Sequence, residues 1–185
     1  MLMTATHQAR TSSSTSRPAA AAASGPRKVL VVIPAHNEDE NIQLVLDELA
    51  GLGHGHDVLV VNDASTDATR AVLDGRGQRS MHLSSNLGYG GAVQAGFKYA
   101  LAHGYDVVVQ MDGDCQHDPG SIPALIEPVL SGEADVALGS RFLGKVTYEV
   151  PALRKMGIAL FRNVVSFFIK QPITDPTSGF QALNR

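Results

Sequence analysis

An open, mostly parallel α/β sheet with helices on both faces is the fold class this sequence predicts, on three observations. Short apolar runs rich in β-branched residues begin at Lys28 and alternate with stretches of helical length and spacing. Strands separated by helices of that length pair in parallel through right-handed crossovers, which lays helices over both faces of the sheet. Each apolar run also ends in polar residues: His36, Asn37 and Glu38 after the first, Asn62 and Asp63 after the second, Asn86 after the third, Asp112 and Asp114 after the fourth, Ser140 and Arg141 after the fifth. In open sheets ligands bind beyond the carboxyl ends of the strands, so this last observation predicts a single functional edge. The 185 residues, 44% of them hydrophobic, suit one such domain with a core of its own and make a second full domain unnecessary.

The elements follow in order. Residues 1–26, "MLMTATHQARTSSSTSRPAAAAASGP", hold Ser, Thr and Ala with no acidic residue before Glu38. They bury too little apolar surface to offset their ordering entropy and read as disordered, with a composition that also mimics an organelle transit peptide. The domain proper is expected over 27–185. "KVLVVIP" is the first strand, closed by Pro34, and "DENIQLVLDELAGLG" the first helix, with Ile42, Val45, Leu46 and Leu49 at helical spacing. "HDVLVVND" and "STDATRAVLDG" give the second strand and helix, with Ser65 or Thr66 able to cap the latter. "SMHLSSN" is a weaker third strand, "YGGAVQAGFKYALAHG" a third helix and "DVVVQMD" a fourth strand. "PGSIPALIEPVLSG" is a fourth helix despite its prolines, with Asp118 as its cap, and "ADVALGSR" a fifth strand. No stretch is long and apolar enough for a transmembrane helix.

Charge and cysteine usage exclude several classes. A net charge of −3 and a pI near 6.1 give no electrostatic footprint for nucleic acid. The single cysteine, Cys115, rules out a disulfide framework and a Cys-rich zinc site, and fits a reducing, cytoplasmic setting. The histidines show no zinc-protease pairing; His117 alone stands out, by its neighbours.

The chemistry concentrates in "VVVQMDGDCQHDP". Carboxylates at the mouth of an apolar run need a partner or water. Asp112 and Asp114 are spaced to offer oxygen ligands to one hard divalent cation, with Gly113 permitting an unusual turn between them; a wet strand-to-helix turn is the other account. Asn62 suits an Asx turn, whereas Asp63 could accept hydrogen bonds from a base or ribose. Gly88, Gly90 and Gly91 either bring backbone close to a phosphate or pack a helix, and they form no P-loop.

Taken together, "VVIPAHNEDENI", "VLVVNDASTDAT", "NLGYGGAVQAGF", "VVVQMDGDCQHDP", "ALGSRF" and "DPTSGFQALNR" resemble, in order and spacing, the family 2 glycosyltransferases of GT-A fold, from about Lys28 to Arg185. The resemblance is to the branch of dolichyl- or polyprenyl-phosphate sugar synthases. It implies that Pro34, His36 and Glu38 border the nucleotide, that Asp63 contacts the nucleoside, and that Gly88 and Gly90 lie in a loop beside it. It implies Asp112 near the ribose and the metal, Asp114 and Gln116 as ligands of Mg²⁺ or Mn²⁺, and Arg141 facing the diphosphate or the donor sugar. Asp175, Ser178 and Gly179 fall on the acceptor side. Arg154 lies in a segment that only loosely matches the acceptor-phosphate region. Related domains continue past "DPTSGF", so the resemblance also implies that a C-terminal extension is lacking here.

The activity so implied is inverting transfer of a sugar from a nucleoside diphosphate sugar to a polyprenyl phosphate. The alternatives are a glycan or other hydroxyl acceptor, with Asp175 as base, or a nucleotide-sugar-binding module without turnover. A dinucleotide-binding oxidoreductase is disfavoured, because the first strand ends in "IPAHNE" and not in a G-x-G-x-x-G turn. "PALRKMGIALFRNVVSFFIK" pairs a basic half, with Arg154, Lys155 and Arg162, with an aromatic apolar half. It reads either as a helix lying peripherally in the cytoplasmic membrane face or as one packed on the core.

Overall fold

The computed structural model describes residues 5–6, 27–53, 55–139 and 178–185. Arg141, Arg154, Asp175 and the basic-apolar segment 151–170 lie outside the described residues. Seven described strands form one sheet: β1 (Ala5–Thr6), β2 (Val29–Ala35), β3 (Asp57–Asn62), β4 (Ser80–His82), β5 (Val107–Gln110), β6 (Val136–Gly139) and β7 (Gln181–Asn184), in spatial order β1-β6-β7-β5-β2-β3-β4. The helices are α1 (Asp39–Leu52), α2 (Thr69–Gly75), α3 (Gly88–Ala102) and α4 (Ile122–Leu130), the last preceded by a 3₁₀ turn at Pro119–Ser121. Strands β2 to β6 run one way. β7 is antiparallel between β5 and β6, and β1 is antiparallel on the outer edge of β6. Ala5 and Thr6 thus pair with Gly139 and Leu138 inside the segment that composition reads as disordered.

β2 is buried at all seven positions because both of its faces are covered. Val29, Val31, Ile33 and Ala35 join α1, α4 and Phe180 in one core, while Leu30 and Val32 join α3 and Tyr105 in the other. Pro34 does not close β2, which continues to Ala35. The ladder to β5 has already ended at Val32 and Gln110, so the absent N–H interrupts no pairing on that side.

α3 lies directly on β2 at Gly96, where a methyl would overlap Val32 Cγ1 and stand 3.2 Å from its Cγ2. Gly96→Ala is therefore expected to cost about 1–3 kcal/mol of overpacking, partly offset by alanine's better helix propensity of up to ~1 kcal/mol. Urea denaturation checks this, and a midpoint at or above the parent's would show that α3 can lift off β2 at no cost.

The topology also fixes where a ligand can bind. From β2 the chain moves outward through β3 to β4 and then returns to place β5 on β2's other side. The strand order reverses between β2 and β5, and their carboxyl ends carry His36–Glu38 and Asp112–Asp114.

Candidate active site

One half of the site is a loop cluster after β2, β3 and β4. His36 Nδ1 donates to the carbonyl of Asp63 at 2.8 Å, which leaves Nε2 to accept from Asn86 Nδ2 at 3.2 Å. Asn86 Oδ1 in turn accepts from the N–H of Gly88, the first residue of α3, whose φ of 75° only glycine adopts without strain. Asp63 is 3% exposed, and its Oδ1 accepts the Leu87 N–H at 2.7 Å. It therefore ties the strand edge to the α3 loop. The loops after β2 and β3 are tied together: the Asn37 N–H donates to Ser65 Oγ, and Asn37 Oδ1 accepts the Thr66 N–H at 2.8 Å. The expected caps at Ser65 and Thr66 are thus not formed on α2, where Asp67 Oδ1 accepts the Thr69 N–H at 2.9 Å instead. Glu38 sits before α1 with its carboxylate accepting from Asn41 Nδ2.

The other half is the carboxylate turn after β5. The left-handed residue here is Cys115, at φ 58°, and not Gly113. Gly113 packs beside β2, where a Cβ would stand 3.4 Å from Ile33 Cγ2 and 3.6 Å from the Pro34 carbonyl, ordinary van der Waals distances. Asp114 is half-buried and its Oδ1 accepts the Gln116 N–H at 3.0 Å, while the Gln116 side chain is exposed. Asp118 caps as expected, accepting from the Gly120 N–H and the Ser121 hydroxyl.

Asp112 is held on both oxygens. Oδ1 accepts the Tyr89 hydroxyl at 2.6 Å, and Oδ2 lies 3.2 Å from His117 Nε2. His117 is 7% exposed and stacks on Phe180 with ring centroids 5.2 Å apart. Partial burial, and then the hydrogen bond to Asp112, push the Tyr89 phenol above its usual range. The antiparallel pairing of β5 with β7 matches Gln110 with Gln181, and the same register continued two residues sets Gly179 opposite Asp112. Ser178 precedes it, with its hydroxyl accepting the Phe180 N–H.

Of the residues picked from sequence, Pro34, His36, Glu38, Asp63, Gly88, Gly90, Asp112, Asp114, Gln116, Ser178 and Gly179 all lie on this one edge. Sequence reasoning missed Tyr89, Gln110 and Phe180. An aromatic residue among the glycines of "NLGYGG" and an amide at the end of "VVVQ" were the signals available.

The donor set suits a hard cation. Asp112 and Asp114 supply carboxylate oxygens, Cys115 Sγ is turned to the Asn41 carbonyl, and His117 Nε2 is engaged with Asp112 Oδ2 at 3.2 Å. Among the described residues no group of three or more His, Cys, Asp or Glu side chains converges as a metal cage.

Comparison with known proteins places this edge in context. Residues 30–185 match the family model described as "Glycosyl transferase family 2". The undecaprenyl-phosphate mannosyltransferase of Micrococcus luteus is 37% identical over 161 residues, covering 84% of this chain and 65% of that protein. The polyprenol monophosphomannose synthase of Mycolicibacterium smegmatis is 34% identical, covering 86% of this chain and 62% of its own length. The chain thus spans a little under two thirds of each. Among solved structures, glucosyl-3-phosphoglycerate synthase from Mycobacterium tuberculosis, in complex with Mn²⁺, UDP-glucose and phosphoglyceric acid, superposes with a TM-score of 0.64. It is 25% identical, with 85% of this chain and 56% of that one covered.

Proposed function

The chain belongs to glycosyltransferase family 2, and from that premise we propose that it moves a sugar, mannose first among candidates, from a nucleoside diphosphate sugar to a polyprenyl phosphate. The observation that carries this reading is the Asp112–Asp114 pair at the point where the strand order reverses. The polyprenyl acceptor and the mannosyl group are supported by the two bacterial relatives, which are named for both. Donor and metal are supported by the Mn²⁺ and UDP-glucose held by the structural neighbour.

Asp114 and Gln116 would hold a divalent cation, with Asp112 beside it, and that ion would supply Lewis-acid neutralisation of the departing diphosphate. His36, Asp63 and the Gly88–Gly90 turn would border the nucleoside on the opposite wall. Arg141 would add charge-assisted hydrogen bonds to phosphate oxygens. An acceptor phosphate is already anionic at neutral pH, so its oxygen can attack the anomeric carbon in line, inverting it, with no base from the protein. A hydroxyl acceptor would instead need one, and Asp175 would be that base.

Among the described residues no helix is long and apolar enough to cross a membrane. We place the acceptor at a lipid surface approached peripherally through Arg154, Lys155 and Arg162, each cation contributing about 1 kcal/mol at an anionic interface. The test is incubation with Mn²⁺, a panel including GDP-mannose and UDP-glucose, and polyprenyl phosphate in anionic vesicles. A sugar-phosphate lipid product is expected, and the triple Gln variant at those three positions should float less with the vesicles. Transfer to a soluble glycan or to phosphoglyceric acid, with none to the lipid, would replace the polyprenyl reading.

A further inference from the structure

Behind Asp112 stands a line of hydrogen bonds that the reaction as described does not use. Gln181 Nε2 donates to Gln110 Oε1 at 2.8 Å, Gln110 Nε2 donates to the Tyr89 oxygen, and the Tyr89 hydroxyl donates to Asp112 Oδ1 at 2.6 Å. The direction of this line is dictated by its end. An ionised carboxylate accepts only, so the phenol must spend its single proton on Asp112. Its oxygen must then take a donor from Gln110, and the Gln110 carbonyl must face a donor from Gln181. Reversing either amide would set like groups against each other. Three donors therefore point one way, toward Asp112, and such chains strengthen each bond in turn.

The line also crosses the fold. Gln110 is buried at the end of β5, Gln181 opens β7 as its cross-strand partner, and Tyr89 comes from the first turn of α3, beside the glycines of the donor-side loop. Tyr89 is 53% exposed, so its ring is dispensable to the core. Gly179 packs against both the Asp112 carboxylate and the Tyr89 oxygen, the latter 2.7 Å from where a Cβ would stand.

We propose that Tyr89 is a positioning residue which, backed by Gln110 and Gln181, fixes the Asp112 carboxylate and so sets the affinity of the edge for a divalent cation bound with a nucleoside diphosphate. The inference rests on the function proposed above. A bond of this kind beside a metal-site carboxylate is worth about 10–100-fold in metal affinity.

Its test uses the full chain and reads binding, not turnover. Free Mn²⁺ is counted by electron paramagnetic resonance in the presence of UDP or GDP, for the parent, Tyr89→Phe, Gln110→Leu and the double variant. Tyr89→Phe should melt close to the parent without ligand yet bind Mn²⁺ with nucleotide about 10–100-fold more weakly, with any metal-free nucleotide binding unchanged. The double variant should be no worse than Tyr89→Phe alone, because both act through one bond. Mn²⁺ affinity equal to the parent's in Tyr89→Phe would overturn the inference and leave the glycosyltransfer reading standing, as would losses in the two single variants that simply add. A parent whose nucleotide binding ignores Mn²⁺ would overturn both.

Discussion

Replacement of Asp114 by alanine is expected to lower sugar transfer by at least about 10³-fold while the protein stays folded. Lewis-acid neutralisation of a leaving diphosphate is worth several kcal/mol, and each ~1.4 kcal/mol of barrier is tenfold in rate. The fold should tolerate the change, because Asp114 sits partly exposed beyond β5 and the bond it makes to the Gln116 N–H is local. A net loss of about 0.5–1.5 kcal/mol is the scale for one such bond. Turnover with donor and acceptor, set beside thermal melting, checks both halves. Activity within tenfold of the parent would remove Asp114 from the chemistry.

Gly179→Ala should follow at about 10²-fold, for a steric reason. A methyl there overlaps Asp112 Oδ2 and stands 2.7 Å from both Asp112 Oδ1 and the Tyr89 oxygen, so the carboxylate must swing away. Displacing a reacting-site group by roughly 1 Å costs on that order. Sequence resemblance puts Gly179 on the acceptor side, yet the packing ties it to Asp112. The loss should therefore appear in donor and metal dependence, as a raised Mn²⁺ requirement. A variant in which only the acceptor KM rises would contradict the packing account.

What was legible in the sequence was what local pattern decides. The runs at β2, β3 and β5 and the helices between them are continuous apolar or amphipathic segments, and their order puts five strands in one direction with the polar residues at one edge. β7 was not legible. "QALN" is four residues long and half polar, and it becomes a strand only because a slot between β5 and β6 supplies partners on both sides. That one insertion brings Gly179 and Phe180 onto Asp112 and His117, so the hold on the carboxylate was hidden with it. Likewise Tyr89 reaches Asp112 from 23 residues away in the chain, a meeting no spacing rule announces. The turn chemistry misled twice, at Gly113 and at Ser65. At the first the left-handed backbone falls on Cys115; at the second Asp67 accepts the Thr69 N–H, while Ser65 accepts the Asn37 N–H from the neighbouring loop.

On the function proposed above, the Asp112–Asp114 edge binds a nucleoside diphosphate through a divalent cation. Calorimetric titration of the protein with UDP and with GDP, each in Mn²⁺ and again in EDTA, tests it most directly. Binding of at least one nucleotide in Mn²⁺ is expected, with none of comparable affinity in EDTA and no Mn²⁺ effect in Asp114→Ala. Equal affinity with and without the cation, in a parent protein that melts cooperatively, would contradict it.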